Sequence, residues 1–126
     1  MKQGVLVDTG PLVAFLNKRD RFHDWTAAQW NQIAAPMLTC EAVVSETCFL
    51  LSGIKSGSNR VIQLIQRKIL RISFHLEEHI DPVNKLLIKY QSVPMSLADA
   101  CLVRMSELHS NSSVSVSYTH LRAHET

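Results

Sequence analysis

An α/β fold built on a short parallel sheet is the fold class this sequence predicts, and three observations predict it. Short apolar runs recur at Val5–Val7, Met37–Thr39 and Leu70–Phe74, each too brief for a helix. Longer stretches with helical apolar spacing separate them. The first run ends on a carboxylate, Asp8, followed by Gly10-Pro11 and a second apolar stretch. That order opens a parallel strand–turn–helix unit, whose ligands gather at the carboxyl ends of the strands.

Element by element, the first strand is expected at about 4–8 and a helix at about 11–17. Lys18-Arg19-Asp20-Arg21 is a charged turn, and Asp20 is a candidate cap for a second helix at about 22–34, marked by Phe22, Trp25, Ala28 and Ile33. Pro36 ends it, and Met37-Leu38-Thr39 is a second strand. A third helix spans about 40–52 and stops before Gly53. Ser56-Gly57-Ser58-Asn59 is a loop and cap, after which Val61, Ile62, Leu64, Ile65 and Ile69 mark a fourth helix. Leu70–Phe74 is a third strand. The fifth helix begins at about 77 or 82, with Asp81-Pro82 a suitable cap and first position, and runs to 90 with Ile80, Val83, Leu87 and Tyr90 on one face. Val93-Pro94 breaks the chain before a sixth helix at Ser96–Leu108. Val114, Val116 and Tyr118 alternate with serines as a possible fourth strand.

Composition bounds the function. The chain has 126 residues, 46% of them hydrophobic and 19% charged, which suits one domain with a real core. A net charge of +2 permits nucleic-acid binding without arguing for it. Cys40, Cys48 and Cys101 lie in apolar surroundings without zinc-type spacing, so buried, reduced thiols in a cytoplasmic protein are expected. No signal-peptide pattern and no membrane-length apolar run is present. The six histidines form no regular ligand pair and are read mostly as surface residues. Trp25 and Trp30 are read as helix-packing residues.

Three acids stand out. Asp8 sits at a strand end, where its ordinary role would be a turn residue. Glu46 shares a helix face with Ala42, Val43, Phe49 and Leu50, an apolar stripe in which a charge needs a partner unless it reaches solvent from the edge. Asp99 lies in Ser96-Leu97-Ala98-Asp99, the spacing of a helix capping box, with Leu102 and Val103 on its face. Strand ends and helix starts can meet at one sheet edge, where three carboxylates would repel unless a cation neutralised them. Hard oxygen ligands without His or Cys suit Mg²⁺ or Mn²⁺, and such sites serve phosphate chemistry.

The blocks Val5-Leu6-Val7-Asp8-Thr9-Gly10-Pro11-Leu12, Val43-Val44-Ser45-Glu46-Thr47-Cys48-Phe49-Leu50 and Pro94-Met95-Ser96-Leu97-Ala98-Asp99-Ala100-Cys101 resemble PIN-domain nucleases, and among them the VapC-like toxins of toxin–antitoxin pairs. The resemblance covers about residues 1–114. It implies a PIN-like three-layer α/β/α domain with a short parallel sheet. It implies a Mg²⁺- or Mn²⁺-dependent endoribonuclease of RNA phosphodiesters, cytoplasmic, often dimeric and often held inactive by an antitoxin protein. It maps Asp8, Glu46 and Asp99 onto the metal-binding catalytic acids and Thr9 onto a hydroxyl residue supporting the first of them. The family's later strand and its further acid have no counterpart here: the stretch reads Val114-Ser115-Val116-Ser117-Tyr118. A nuclease domain at 1–114, truncated with its last strand incomplete, and a non-native tail at 115–126 are therefore expected.

Two other readings compete. Asp8-Thr9-Gly10 also matches the active-site triplet of retroviral-type aspartic proteases, but those are β-rich and six helical segments oppose that. A PIN-like domain lacking part of its acidic site would instead serve as an RNA- or protein-binding module.

Overall fold

The computed structural model describes Met1 and residues 3–109. The expected Val114–Tyr118 strand, the boundary at 114 and the 115–126 tail lie outside the described residues. Six α-helices and two strands follow in order: α1 Thr9–Leu16, α2 His23–Trp30, β1 Met37–Thr39, α3 Glu41–Leu50, α4 Gly57–Gln66, β2 Leu70–Ile72, α5 Ile80–Lys89 and α6 Leu97–Leu108. A 3-10 turn at Leu76–His79 leads into α5.

The sheet is parallel and short. β1 pairs with β2 in the register Met37–Leu70, Leu38–Arg71 and Thr39–Ile72. The first apolar run joins through a single parallel bridge, Leu6 to Leu38, made by Val7 N–H to Leu38 O at 2.9 Å and Leu38 N–H to Val5 O at 2.8 Å. Among the described residues Leu38 thus has neighbours on both sides, so the middle place belongs to β1 rather than to the first run. The expected α/β architecture is present: β1 has its expected bounds, β2 ends two residues early at Ile72, and the first run is reduced to one bridge. Val5, Leu6 and Val7 are fully buried and form one core with Leu12, Val43, Leu70, Val83, Leu102 and Met105. Apolar runs of this kind are what a buried parallel strand requires.

Helix starts account for most departures from expectation. α1 begins at Thr9, two residues early, because Asp8 is its N-cap and Gly10 and Pro11 fall inside the first turn. Proline is tolerated there because first-turn N–H groups have no helical partner. Asp20 does not cap α2; its Oδ1 accepts from Phe22 N–H at 2.8 Å in a local turn, and the helix stops at Trp30. Asp81 and Pro82 lie inside the first turn of α5, whose N-cap is His79. The α3–α4 connection depends on Gly57, where a β-carbon would collide with the Leu51 backbone oxygen.

The expected apolar stripe of α3 is corrected. Its buried residues are Val43 and Thr47, with Leu51 just beyond, while Phe49 is 74% and Leu50 53% exposed. Spacing of four residues puts 43, 47 and 51 on one face, and Phe49 projects from another. Thr47 is accommodated in the core because its hydroxyl donates to Val43 O at 2.7 Å.

Trp30 packs as expected, stacked on Phe15 with ring centroids 3.9 Å apart, whereas Trp25 is largely exposed. His79 is half-buried rather than superficial: it stacks on Phe74 and accepts from Arg104 Nε at 3.4 Å. No helix among the described residues is long and apolar enough to cross a membrane.

Candidate active site at the carboxyl edge of the sheet

Asp8 follows the first apolar run directly, so the chain delivers its carboxylate to the carboxyl end of that run. It is only 2% exposed, and Oδ1 accepts from Thr9 N–H at 2.6 Å. A buried carboxylate is costly, and the start of α1 offsets part of that cost through its amide donors and its positive end. Thr9 is also buried, and its hydroxyl donates to Glu46 Oε2 at 3.3 Å. One residue therefore serves two acids: its amide holds Asp8 and its hydroxyl holds Glu46. The resemblance implied support for the first acid only; the hydroxyl turns to the second.

Glu46 reaches this point from α3, which packs against α1. It is half-buried beside the Val43–Thr47 face, at the edge of the helix's contact with α1.

Asp99 occupies the third position of α6 and forms the capping box its spacing predicts. Ser96 N–H donates to Asp99 Oδ2 at 3.1 Å, and Asp99 N–H donates to Ser96 Oγ at 3.0 Å. Its helix packs against α3, and two thiols meet between them. Cys40, the N-cap of α3, lies beside Cys101, two residues beyond Asp99. Burial pushes the Cys40 thiol up, and the nearby charge of Asp8 adds to that. Burial pushes Cys101 up to about 12, with Cys40 adding to the shift. Both remain protonated at neutral pH, which leaves them packing and hydrogen-bonding groups rather than nucleophiles. Their free, reduced state agrees with the expectation for buried cysteines, Cys48 being half-buried. The thiol pair escaped the sequence reading; the signals were Cys40 directly after β1 and Cys101 one short step from Asp99.

The geometry thus joins Asp8 and Glu46 through Thr9 and sets Asp99 on the adjoining helix. Among the described residues no three histidines, cysteines or acids form a group that could hold a metal ion. The donor set is oxygen only, and Mg²⁺ commonly binds through one or two carboxylates while keeping several waters. Asp8 and Glu46, tied to one threonine, fit that mode.

Comparison with known proteins identifies the family. The PIN domain family matches residues 5–115. Among solved structures, VapC20 of Mycobacterium tuberculosis, described as a sarcin-ricin loop cleaving toxin, is similar with a TM-score of 0.74 and 18% identity over 90% of this chain and 87% of that one. No curated protein sequence matches. The family match spans most of the chain, and the chain belongs to the PIN-domain family of nucleases.

Proposed function

We propose that this protein is a toxin-type, divalent-metal-dependent endoribonuclease whose metal-binding and catalytic acids are Asp8, Glu46 and Asp99. The observation that carries the reading is the Thr9 bridge, which holds Glu46 beside the buried Asp8 at a strand's carboxyl end within a PIN domain. Structural turn acids have no need of a partner from another helix.

Bound Mg²⁺ or Mn²⁺ supplies water activation and neutralises charge on the phosphoryl oxygens. Asp8 and Asp99 would hold the metal, and Glu46 would hold it or orient the water. Thr9 holds one oxygen of Glu46 through its hydroxyl. The protonated Cys40 and Cys101 beneath add no charge. The RNA-cleaving toxin among its structural relatives supports RNA as the substrate. A cognate antitoxin, self-association and a cytoplasmic setting belong to the same reading. We take residues 1–114 as the nuclease domain, in keeping with the 5–115 family match.

The test is RNA cleavage by the purified chain in Mg²⁺ and in Mn²⁺, with EDTA and Asp8→Asn as controls. Cleavage that needs the metal and disappears in Asp8→Asn is expected. Equal cleavage by Asp8→Asn, with contaminating ribonuclease excluded, contradicts the mechanism. Metal-independent RNA binding without cleavage favours the binding-module reading.

A further inference from the structure

β2 pairs with β1 on one side and presents its other side as an edge. Met37 N–H donates to Ile69 O at 2.8 Å, and Ser73 N–H donates to Thr39 O at 3.2 Å, so residues 69, 71 and 73 turn their backbone groups toward β1. The N–H and C=O groups of Leu70 and Ile72 therefore point the other way. Among the described residues they have no hydrogen-bond partner on that side. A cavity of about 500 Å³ lies here, lined by Pro36, Ile65, Lys68, Leu70, Arg71 and Ile72. Side chains of successive strand residues alternate between faces, so a cavity touching three in a row follows the strand's edge. No residue of β1 lines it, which puts it on the outer side. β1 stands between this edge and the run that carries Asp8, so the cavity is separate from the acids.

Charge decides what the edge would take. Lys68 and Arg71 line the cavity and are exposed, Arg67 is exposed just before them, and no acid lines it. Charges beside an edge strand ordinarily guard it against edge-to-edge pairing. Two copies of this chain paired here would bring their basic residues together, so a second copy is the wrong occupant. An acidic strand meets the opposite situation. Its backbone finds donors and acceptors at strand spacing, its carboxylates find cations, and its apolar residues find Pro36, Ile65 and Ile72. Strand addition of this kind takes affinity from main-chain hydrogen bonds and specificity from alternate side chains. Nucleic acid would use the cations but not the paired N–H and C=O groups.

We propose that the free edge of β2 is a docking site for an extended acidic segment of a partner protein, which adds to the sheet as a further strand. Leu70 and Ile72 supply the main-chain hydrogen bonds, and Lys68 and Arg71 select carboxylates. The proposal is independent of the ribonuclease reading and stands whether or not the chain cuts RNA.

The probe is a capped hexapeptide of alternating glutamate and valine, titrated into the full ¹⁵N-labelled chain. Saturable amide shifts at Leu70, Arg71 and Ile72 are expected. At saturation the Leu70 and Ile72 amides should exchange with solvent at least about tenfold more slowly. The same peptide methylated at every backbone nitrogen keeps the charges but cannot donate to a strand, and should bind at least about tenfold more weakly. Lys68→Glu/Arg71→Glu, at two exposed positions, should weaken the acidic peptide about tenfold and favour a lysine–valine counterpart, with the rest of the spectrum unchanged. No saturable shifts, shifts that map elsewhere, or equal binding of the methylated peptide overturn the proposal. Unchanged affinity in the charge-reversed chain overturns the choice of an acidic partner. A response of these residues to single-stranded RNA and not to the peptide makes the patch a nucleic-acid contact and overturns strand addition.

Discussion

Asp8 and Asp99 both stand at a helix start, yet the two starts are built differently. Asp8 is the N-cap of α1, is buried, and shares its neighbour Thr9 with an acid from another helix. Asp99 is inside the first turn of α6, half-exposed, and exchanges two hydrogen bonds with Ser96. Local helix stability accounts for much of what Asp99 does. It accounts for little of Asp8, because a serine or threonine would cap α1 without burying a charge. The contrast separates a carboxylate kept at an energetic cost from one that is useful to its own helix, and it orders the experiments.

The largest effect is expected from Asp8→Asn. The amide oxygen can still accept from Thr9 N–H, so fold and melting temperature should be retained or improved. A neutral amide is a poorer ligand for a hard cation, and RNA cleavage should fall by at least about a hundredfold. Asp99→Asn should also lower cleavage, but with a measurable loss of stability as the charge leaves the first turn. Parallel thermal melts and RNA assays decide this. A stability loss in Asp8→Asn as large as that in Asp99→Asn would erase the distinction between the two starts.

Thr9→Val comes next. Valine keeps the buried volume and the amide to Asp8 while removing the hydroxyl that donates to Glu46. Loss of a group that orients a ligand typically costs about 10–100-fold in metal affinity or activity. The expected result is a Mg²⁺ titration of cleavage shifted to higher concentration, with added metal restoring part of the rate. An unchanged metal titration would mean that the Thr9–Glu46 bond is incidental to the site.

Much of this was legible in the sequence because local signals coincide with global ones. All six helices and the two strands appear near their expected places, and the Ser96–Asp99 capping box is present as its spacing predicts. The failures share a cause: which side of a helix faces inward is decided by the neighbours. Phe49 reads as core by hydrophobicity, yet α3 turns Val43 and Thr47 inward and leaves Phe49 in solvent. Asp20 and Asp81 have capping chemistry, but the chain enters each helix at another residue. The Thr9–Glu46 bond joins residues 37 apart, a pairing no local pattern specifies. Family resemblance named both residues without predicting that they meet.

Ser96→Ala sharpens the comparison from the other side. It removes one half of the capping box and keeps the Asp99 carboxylate. The expected cost is about 1 kcal/mol of stability, the usual value for a lost N-cap. RNA cleavage at a temperature well below the melt should stay within about threefold of the parent, since a loss of this size leaves the protein folded. A tenfold or greater fall in rate with the fold intact would show that the capping box also positions Asp99 for chemistry, making the α6 start more like that of α1 than its hydrogen bonds suggest.

The smallest effect concerns the neighbouring buried thiols Cys40 and Cys101. Burial raises both thiols, Cys101 from 9.0 to about 12, so the folded state keeps a proton that the unfolded chain releases. Stability from this source is fully present below pH 9.0 and is lost as pH rises toward about 12. Each such thiol steepens the alkaline decline by about 1.4 kcal/mol per pH unit at most. Cys101→Ala opens a small cavity and lowers stability at neutral pH, but its decline above pH 9 should be shallower by up to that amount. Denaturant unfolding at a series of pH values from 7 to 11 reads the slope directly. Parallel curves for the parent and Cys101→Ala would mean that the thiol ionises freely in the folded protein and that its surroundings are open to water rather than sealed.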